Sequence, residues 1–410
     1  MTDRSARTRR GLLRGVGTLA LVGLAGCSED DEDDPTETPA EDDAEPPADD
    51  ADGAEDDGDE AEDDSGNGDE DTGESWPMFR FDAANTGVGD GSGPTGDGSE
   101  LWTVETGGSV YGSPTVVDGV VLVGSYDDSL YAVDAAEGEV LWELDLGDDV
   151  FSSPAVLDGF AYVGSFDESL YVVDVETGEI ENQRSLDAEV GASPTISEGT
   201  IYLGTDVGEL LALGATEWTA ETEGPVVATP AVAEGRVFVG SFDGVLSAHD
   251  ADDGETLWEF EEGSTFEATP AVSDGLVYAG TRDGTFYALD TEDGGMAWGV
   301  EGGDWTASGP AVFDGTVYVG NDNGALAAFD AADGSQVWTV DTGGRVWSSP
   351  TVADGVVYAA NRDGSVFGLD AESGDEVYSA EIGEVAFSSP TPVGSRLYVG
   401  TADGSIHALE

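Results

Sequence analysis

The sequence contains no lysine; its 12 basic residues are all arginine, set against 89 acidic ones. That absence removes a P-loop, a Schiff base and a kinase-type lysine from consideration. A formal net charge of −77 likewise excludes nucleic-acid binding through the phosphates. The single cysteine, Cys27, leaves no internal disulfide and no thiolate metal cluster. Two histidines, His249 and His407, fall at different offsets of distant repeats, so they share neither a metal nor a triad. No Gly-x-Ser-x-Gly elbow is present, and Gly240-Ser241-Phe242-Asp243-Gly244 has its serine misplaced. Carboxylates are plentiful, but no pair stands out from the acidic background as a hydrolytic dyad.

Long apolar runs are also scarce. Gly15 to Gly26 is about a dozen residues, whereas a helix needs ~20 to span a bilayer. Thr8-Arg9-Arg10-Gly11-Leu12-Leu13 ahead of it reads as a twin-arginine export signal, with Arg9 and Arg10 as its pair. Leu24-Ala25-Gly26-Cys27 reads as a lipobox, making 1–26 a lipoprotein signal peptide and Cys27 the lipidated mature N-terminus. The plainer alternative is a free cysteine in an ordinary signal peptide. The expected address is extracytoplasmic, on the cell membrane through the lipid.

From 28 to 75 the chain is acidic, with 26 carboxylates, no basic residue and no aromatic. It cannot bury enough apolar surface to offset its ordering entropy, so 27–75 is expected to be a disordered tether. The remainder, 76–410, still carries 62 acidic residues against seven arginines. Such self-repulsion needs screening, and at molar salt the Debye length falls to ~3 Å. With the absent lysine, this resembles the proteins of salt-in halophiles, haloarchaea in particular.

What the sequence has in abundance is glycine, 60 residues, and a repeat that glycine helps to punctuate. A small-small-Pro step recurs at Pro114, Pro154, Pro194, Pro230, Pro270, Pro310, Pro350 and Pro390. The spacing is 40 residues except for one interval of 36, the third unit having lost four residues around Leu213 to Trp218. In the fifth unit Phe266–Val272, Leu276–Gly280, Thr285–Asp290 and a last run through Trp298 read as four strands. Asp274-Gly275, Asp283-Gly284 and Glu292-Asp293-Gly294 supply the turns between them. Four antiparallel strands per ~40 residues describe a propeller blade, so the expected fold is all-β, an eight-bladed propeller. The chain stops after a third strand, Ile406 to Glu410, and the missing fourth is supplied by Glu100–Glu105, so an N-terminal strand closes the ring.

Within the units, Ala-x-Asp-x-x-x-Gly-x-x-x-Trp recurs, for example as Ala132-Asp134-Gly138-Trp142 and Ala288-Asp290-Gly294-Trp298. Trp102, Trp142, Trp218, Trp258, Trp298 and Trp338 hold this position, while Asn182 and Tyr378 depart from it. The motif resembles the tryptophan-docking repeat of pyrroloquinoline-quinone (PQQ) propellers over 76–410. The leading segment Trp76-Pro77-Met78-Phe79-Arg80 with Asn85-Thr86-Gly87 is similar to the start of such proteins. Each tryptophan is expected to bury its ring between blades while its indole N–H finds a backbone acceptor. The resemblance implies either a quinone with calcium, as in the dehydrogenases, or a non-enzymatic lipoprotein scaffold, as in the bacterial outer-membrane assembly machinery. The dehydrogenases carry a vicinal disulfide, a Glu/Asn/Asp calcium site and large insertions. One cysteine and uniform blades argue against them, so no cofactor and no metal are expected.

One feature is left over once the repeat is subtracted. Three residues before each proline stand Tyr111, Phe151, Gly191, Val227, Glu267, Ala307, Trp347 and Phe387. The large rings belong to units 7, 8, 1 and 2, which are consecutive in a closed ring. They are expected to cluster on one half of a channel mouth, with Arg345 as a cation and Trp305 extending the patch. Packing between blades is the competing assignment for the same rings. The preferred function is therefore a non-enzymatic, monomeric scaffold with a protein partner at the cell surface. A solute- or carbohydrate-binding module and a PQQ-dependent dehydrogenase are the alternatives.

Overall fold

The computed structural model describes residues 75–301 and 308–410. Export signal, Cys27, tether and Trp305 lie outside the described residues.

Eight sheets form eight blades, each of four antiparallel strands in the expected order. The fifth blade is typical: Ala271–Ser273, Leu276–Gly280, Thr285–Asp290 and Met296–Glu301 run from the innermost strand outward. The first hairpin turns at Asp274 (φ 51°) and Gly275 (φ 78°). Two successive left-handed residues make the turn whose twist matches the strands, which is why Asp-Gly recurs there. The innermost strand is shorter than the Phe266–Val272 reading. It begins only after Pro270, which has no N–H for a ladder, and the residues before it turn towards the neighbouring blade. Phe266 is fully buried but outside any strand.

The ring closes as expected. Glu100–Glu105 pairs antiparallel with Ser405–Leu409, setting Trp102 opposite Ala408. Ser99 and Glu410 exchange backbone hydrogen bonds at 3.0 and 2.9 Å, joining the two parts of the chain in one blade. The pair Gly96–Asp97 adds a fifth, parallel strand outside Glu376–Glu381 of the seventh blade.

The tryptophan ring is the outer fastening. Trp102, Trp142, Trp218, Trp258, Trp298 and Trp338 each donate Nε1–H to a carbonyl of the next blade at 2.9–3.1 Å. Each indole lies on a glycine with positive φ in that blade's last turn; a Cβ at Gly294 would stand 2.8 Å from the Trp258 ring. The two departures follow from a missing docking glycine in the blade they face. Asn182 faces the third blade, whose last hairpin, between Glu209–Gly214 and Trp218–Glu221, is the one that lost four residues. Tyr378 is covered instead by the leading strand, pairing with Gly96 and lying buried beneath Gly98. Where no docking turn exists, no tryptophan stands opposite.

The leading segment does what its sequence did not announce: it fills the channel. Innermost strands would present free edges along the axis, and residues 76–89 pair with them. Trp76 bridges Val116, and the N–H groups of Val156, Val272, Val312 and Val352 donate to Pro77, Ala84, Thr86 and Gly87 at 2.7–2.9 Å. Arg80 is fully buried, donating to the carbonyls of Pro310 and Pro350. Asn85 Nδ2 donates to the carbonyls of Thr229, Pro230 and Pro270 at 3.0–3.3 Å. Burial lowers the Arg80 pKa to about 9, against the pull of the nearby Asp82. The small-small-Pro steps thus serve as the socket for a non-repeating plug.

Candidate functional site: an aromatic funnel above the plug

Above the plug the channel opens into a funnel of about 420 Å³, with Phe79 of the plug in its lining. Its throat is a ring of residues immediately before the eight prolines. Ser113, Ser153, Gly309, Ser349 and Ser389 each donate a backbone N–H to the hydroxyl of the next blade's member at 2.7–3.0 Å. Thr229 makes the same bond to Thr269 at 3.3 Å. Those hydroxyls are therefore already used as acceptors in holding the blades together.

The mouth is asymmetric. Trp347, Phe387, Tyr111 and Phe151 form an unbroken row, with ring centroids 5.2, 5.0 and 5.8 Å apart. This is the half-ring expected from units 7, 8, 1 and 2. Across from it stand Gly191, Val227 and Glu267, the last paired with Arg282 at 2.9 Å. Phe151 remains 37% exposed, so part of the row faces solvent. Packing and exposure thus coexist in this row: its rings touch across blades and still line an open cavity.

Three contributors were missed by reading only the positions before the prolines. Tyr126 and Phe166, in the turns after the second strands of blades 1 and 2, stand 4.7 Å from Tyr111 and 6.4 Å from Phe151. Arg362, in the corresponding turn of blade 7, lies 4.2 Å over the Trp347 ring and 5.1 Å from Phe387. The signal was available, since Tyr126, Phe166, Arg282 and Arg362 occupy one and the same repeat position. Among the described residues the cation on these rings is Arg362. Arg345 points to Asp322 at 3.4 Å, in an adjoining pocket that also holds Arg362. Trp347 donates its Nε1–H to that same Asp322 at 2.8 Å.

Electrostatically the rim has two sectors. Over blades 1 to 3, Asp128, Asp148 and Asp149 bring one carboxylate oxygen each within 4.8 Å of the others. Burial and mutual repulsion raise the pKa values of Asp128, Asp149 and the neighbouring Glu189. Burial, then Tyr111 and Asp149, push the Tyr126 hydroxyl up to about 12, so it is a neutral hydrogen-bonding group. Arg282, Arg345 and Arg362 make the opposite sector, on blades 5 to 7.

Both histidines are packed structural residues. His249 is buried between strands, 2.9 Å from the Ser247 hydroxyl, and burial lowers its pKa. His407 sits in the closing blade, 3.0 Å from Glu100.

The family model for outer membrane protein assembly factor BamB matches residues 93–183, 179–298 and 287–410. No curated protein sequence matches. Among solved structures, BamB from Moraxella catarrhalis is similar at 19% identity and a TM-score of 0.66, covering 76% of this chain and 99% of that one. Quinohemoprotein alcohol dehydrogenase from Comamonas testosteroni is similar at 15% identity and 0.71, covering 82% and 80%. The computationally designed Ika8 protein is similar at 16% and 0.66, covering 75% and 98%. An assembly factor, an alcohol dehydrogenase and a design match about equally well, so these structural likenesses speak to the fold alone. The family match is of another kind, since it runs over all eight blades, and on it this chain belongs to the family of outer membrane protein assembly factor BamB.

Proposed function

We propose that this protein is a non-enzymatic interaction scaffold, a monomeric propeller that engages a protein partner at the mouth of its funnel. The observation that carries the reading is the half-ring of aromatic side chains, left open above a plugged channel. Rings that served only to fasten blades would each be bonded to the next blade and laid on its glycine turn, as the six docking tryptophans are; these line a cavity instead. Membership of the BamB family supports the same reading. Lipidation of Cys27 would hold the propeller outside the cytoplasmic membrane, with 27–75 as the spacer.

The donor set argues against a quinone with calcium. Calcium takes six to eight oxygen ligands. Among the described residues lining the funnel, Glu267 is the sole carboxylate and it is tied to Arg282. The Thr269 hydroxyl beside it accepts the Thr229 N–H, and Ser153, Ser193 and Ser389 in the same lining accept N–H groups likewise. These residues do not fit that pair of ligands, and no redox step is assigned to the site.

The test is affinity capture from native envelopes at molar salt, comparing the wild type with a Tyr111/Trp347/Phe387→Ala triple variant. A protein that co-purifies with the wild type and is lost from the folded variant is the expected result. A bound sugar or quinone in place of any protein partner would overturn the reading.

A further inference from the structure

The seven arginines of 76–410 are few enough to be accounted for one by one. Arg184, Arg236, Arg282 and Arg345 each reach a carboxylate, at 2.9–3.9 Å. Arg80 and Arg396 donate to backbone carbonyls. Arg362 does neither among the described residues: its guanidinium carbon lies 4.2 Å over the Trp347 ring and 5.1 Å from that of Phe387. In a domain with 62 acidic residues, a cation that has found rings and no carboxylate is exceptional. Its position adds to this. Three of the seven arginines stand on the rim of one funnel, and Arg362 lies between that funnel and the side pocket of about 390 Å³.

A guanidinium stacked on an aromatic face keeps its in-plane N–H groups available, and they match a carboxylate in two parallel hydrogen bonds. Stacking also fixes the side chain beforehand, so less rotamer freedom is lost when an anion docks. Such contact acts at short range and survives salt that screens the rest of the surface. The opposite sector, with Asp128, Asp148, Asp149 and Glu189, would repel the same anion and so orient it. Asp322 does not occupy Arg362, being held by Trp347 and Arg345.

We propose that the funnel's occupant is an extended segment of a partner protein in which a carboxylate adjoins an aromatic or large aliphatic side chain. The side chain enters between Tyr111, Phe151 and Phe387, and the carboxylate is received by Arg362. This inference rests on the scaffold reading and names the chemistry its partner must present.

The probes are N-acetyl-phenylalanine and its amide, which share one ring and differ by one negative charge. Each is titrated against the full-length protein at molar salt, with binding read by saturation-transfer NMR. The acid is expected to bind roughly tenfold tighter than the amide, the scale of one charge-assisted contact. In Arg362→Gln that preference should fall to within about twofold with the amide unaffected, whereas Phe151→Ala should weaken both probes. Arg184→Gln, on the outer strand of blade 2, should change neither, and near-UV dichroism confirms that each variant is folded. Equal binding of acid and amide, a preference that persists in Arg362→Gln, or failure of both probes to bind would overturn the inference. Its failure is separable from that of the scaffold reading. A partner lost with the aromatic triple variant but indifferent to Arg362 removes only the carboxylate. An Arg362-dependent acid preference with no captured protein removes the scaffold and leaves a small-molecule site.

Discussion

The outer and inner rings of this propeller use the same residue type for opposite ends. At the periphery, six tryptophans recur in phase, each bonded to the next blade and closed over by a glycine turn. At the funnel mouth, aromatic residues occupy four of eight equivalent positions, all on one side, and line an open cavity. In a molecule built from copies, what repeats holds the copies together. What departs from the repeat, without a missing neighbour to explain it, is on the proposed reading where the molecule meets something else. Asn182 and Tyr378 show why the qualification is needed: they depart too, but only because the docking turn they would meet is absent.

This contrast can be broken in measurable ways. Trp258→Ala should have the largest effect on stability, about 3–4 kcal/mol by denaturant titration at fixed salt, because a buried ring and its bond to the Thr291 carbonyl both go. Partner capture by the molecules that remain folded should be unchanged. Arg80→Ala should cost about 2–3 kcal/mol, since the carbonyls of Pro310 and Pro350 would be left buried and unpaired. Tyr111→Ala should change stability by less, about 1 kcal/mol, while weakening capture strongly. Asn182→Trp should move stability by no more than ~0.5 kcal/mol, as the shortened opposing turn lacks the glycine on which the indole would lie. A gain resembling the loss in Trp258→Ala would show that the docking logic is wrong.

The smallest effect is electrostatic and belongs to the ring closure. A hydrogen bond from the Thr103 hydroxyl, then one from His407, holds the Glu100 carboxyl below its ordinary range. A depressed folded-state value adds stability above the unfolded value and loses it as pH falls through the folded one. Glu100 is half-exposed, so this contribution is discounted by solvent. Glu100→Gln should therefore lie slightly below wild type at neutral pH and converge with it in acid, as followed by thermal melts. Divergence towards acid would contradict the sign.

How much of this could be read from the chain depended on whether a residue belonged to the repeat. Pro114 to Pro390, the Asp-Gly turns and the tryptophans gave eight blades and their fastening, because each position was seen several times over. Closure by Glu100–Glu105 was readable because one strand was missing and one was spare. The aromatic half-ring followed from subtraction, and the structure brought Tyr111, Phe151, Trp347 and Phe387 together. The plug was not readable: residues 76–89 have no periodicity, and Arg80 and Asn85 bond to backbone carbonyls, which carry no side-chain signature. Arg362 was overlooked in favour of Arg345 for a simpler reason. It and its neighbours Tyr126 and Phe166 come from the turns after the second strands, not from the positions before the prolines.

The most direct test of the account replaces Phe151 with a benzoylphenylalanine photo-crosslinker and irradiates native envelopes at molar salt. The matching variant carries the same group at Leu257, an exposed apolar position on an outer strand. The account predicts a discrete protein adduct from position 151 and none from 257. An adduct from 257 alone, or the same adduct from both, would place the interface on the periphery and contradict the claim that the aromatic funnel is where this protein meets its partner.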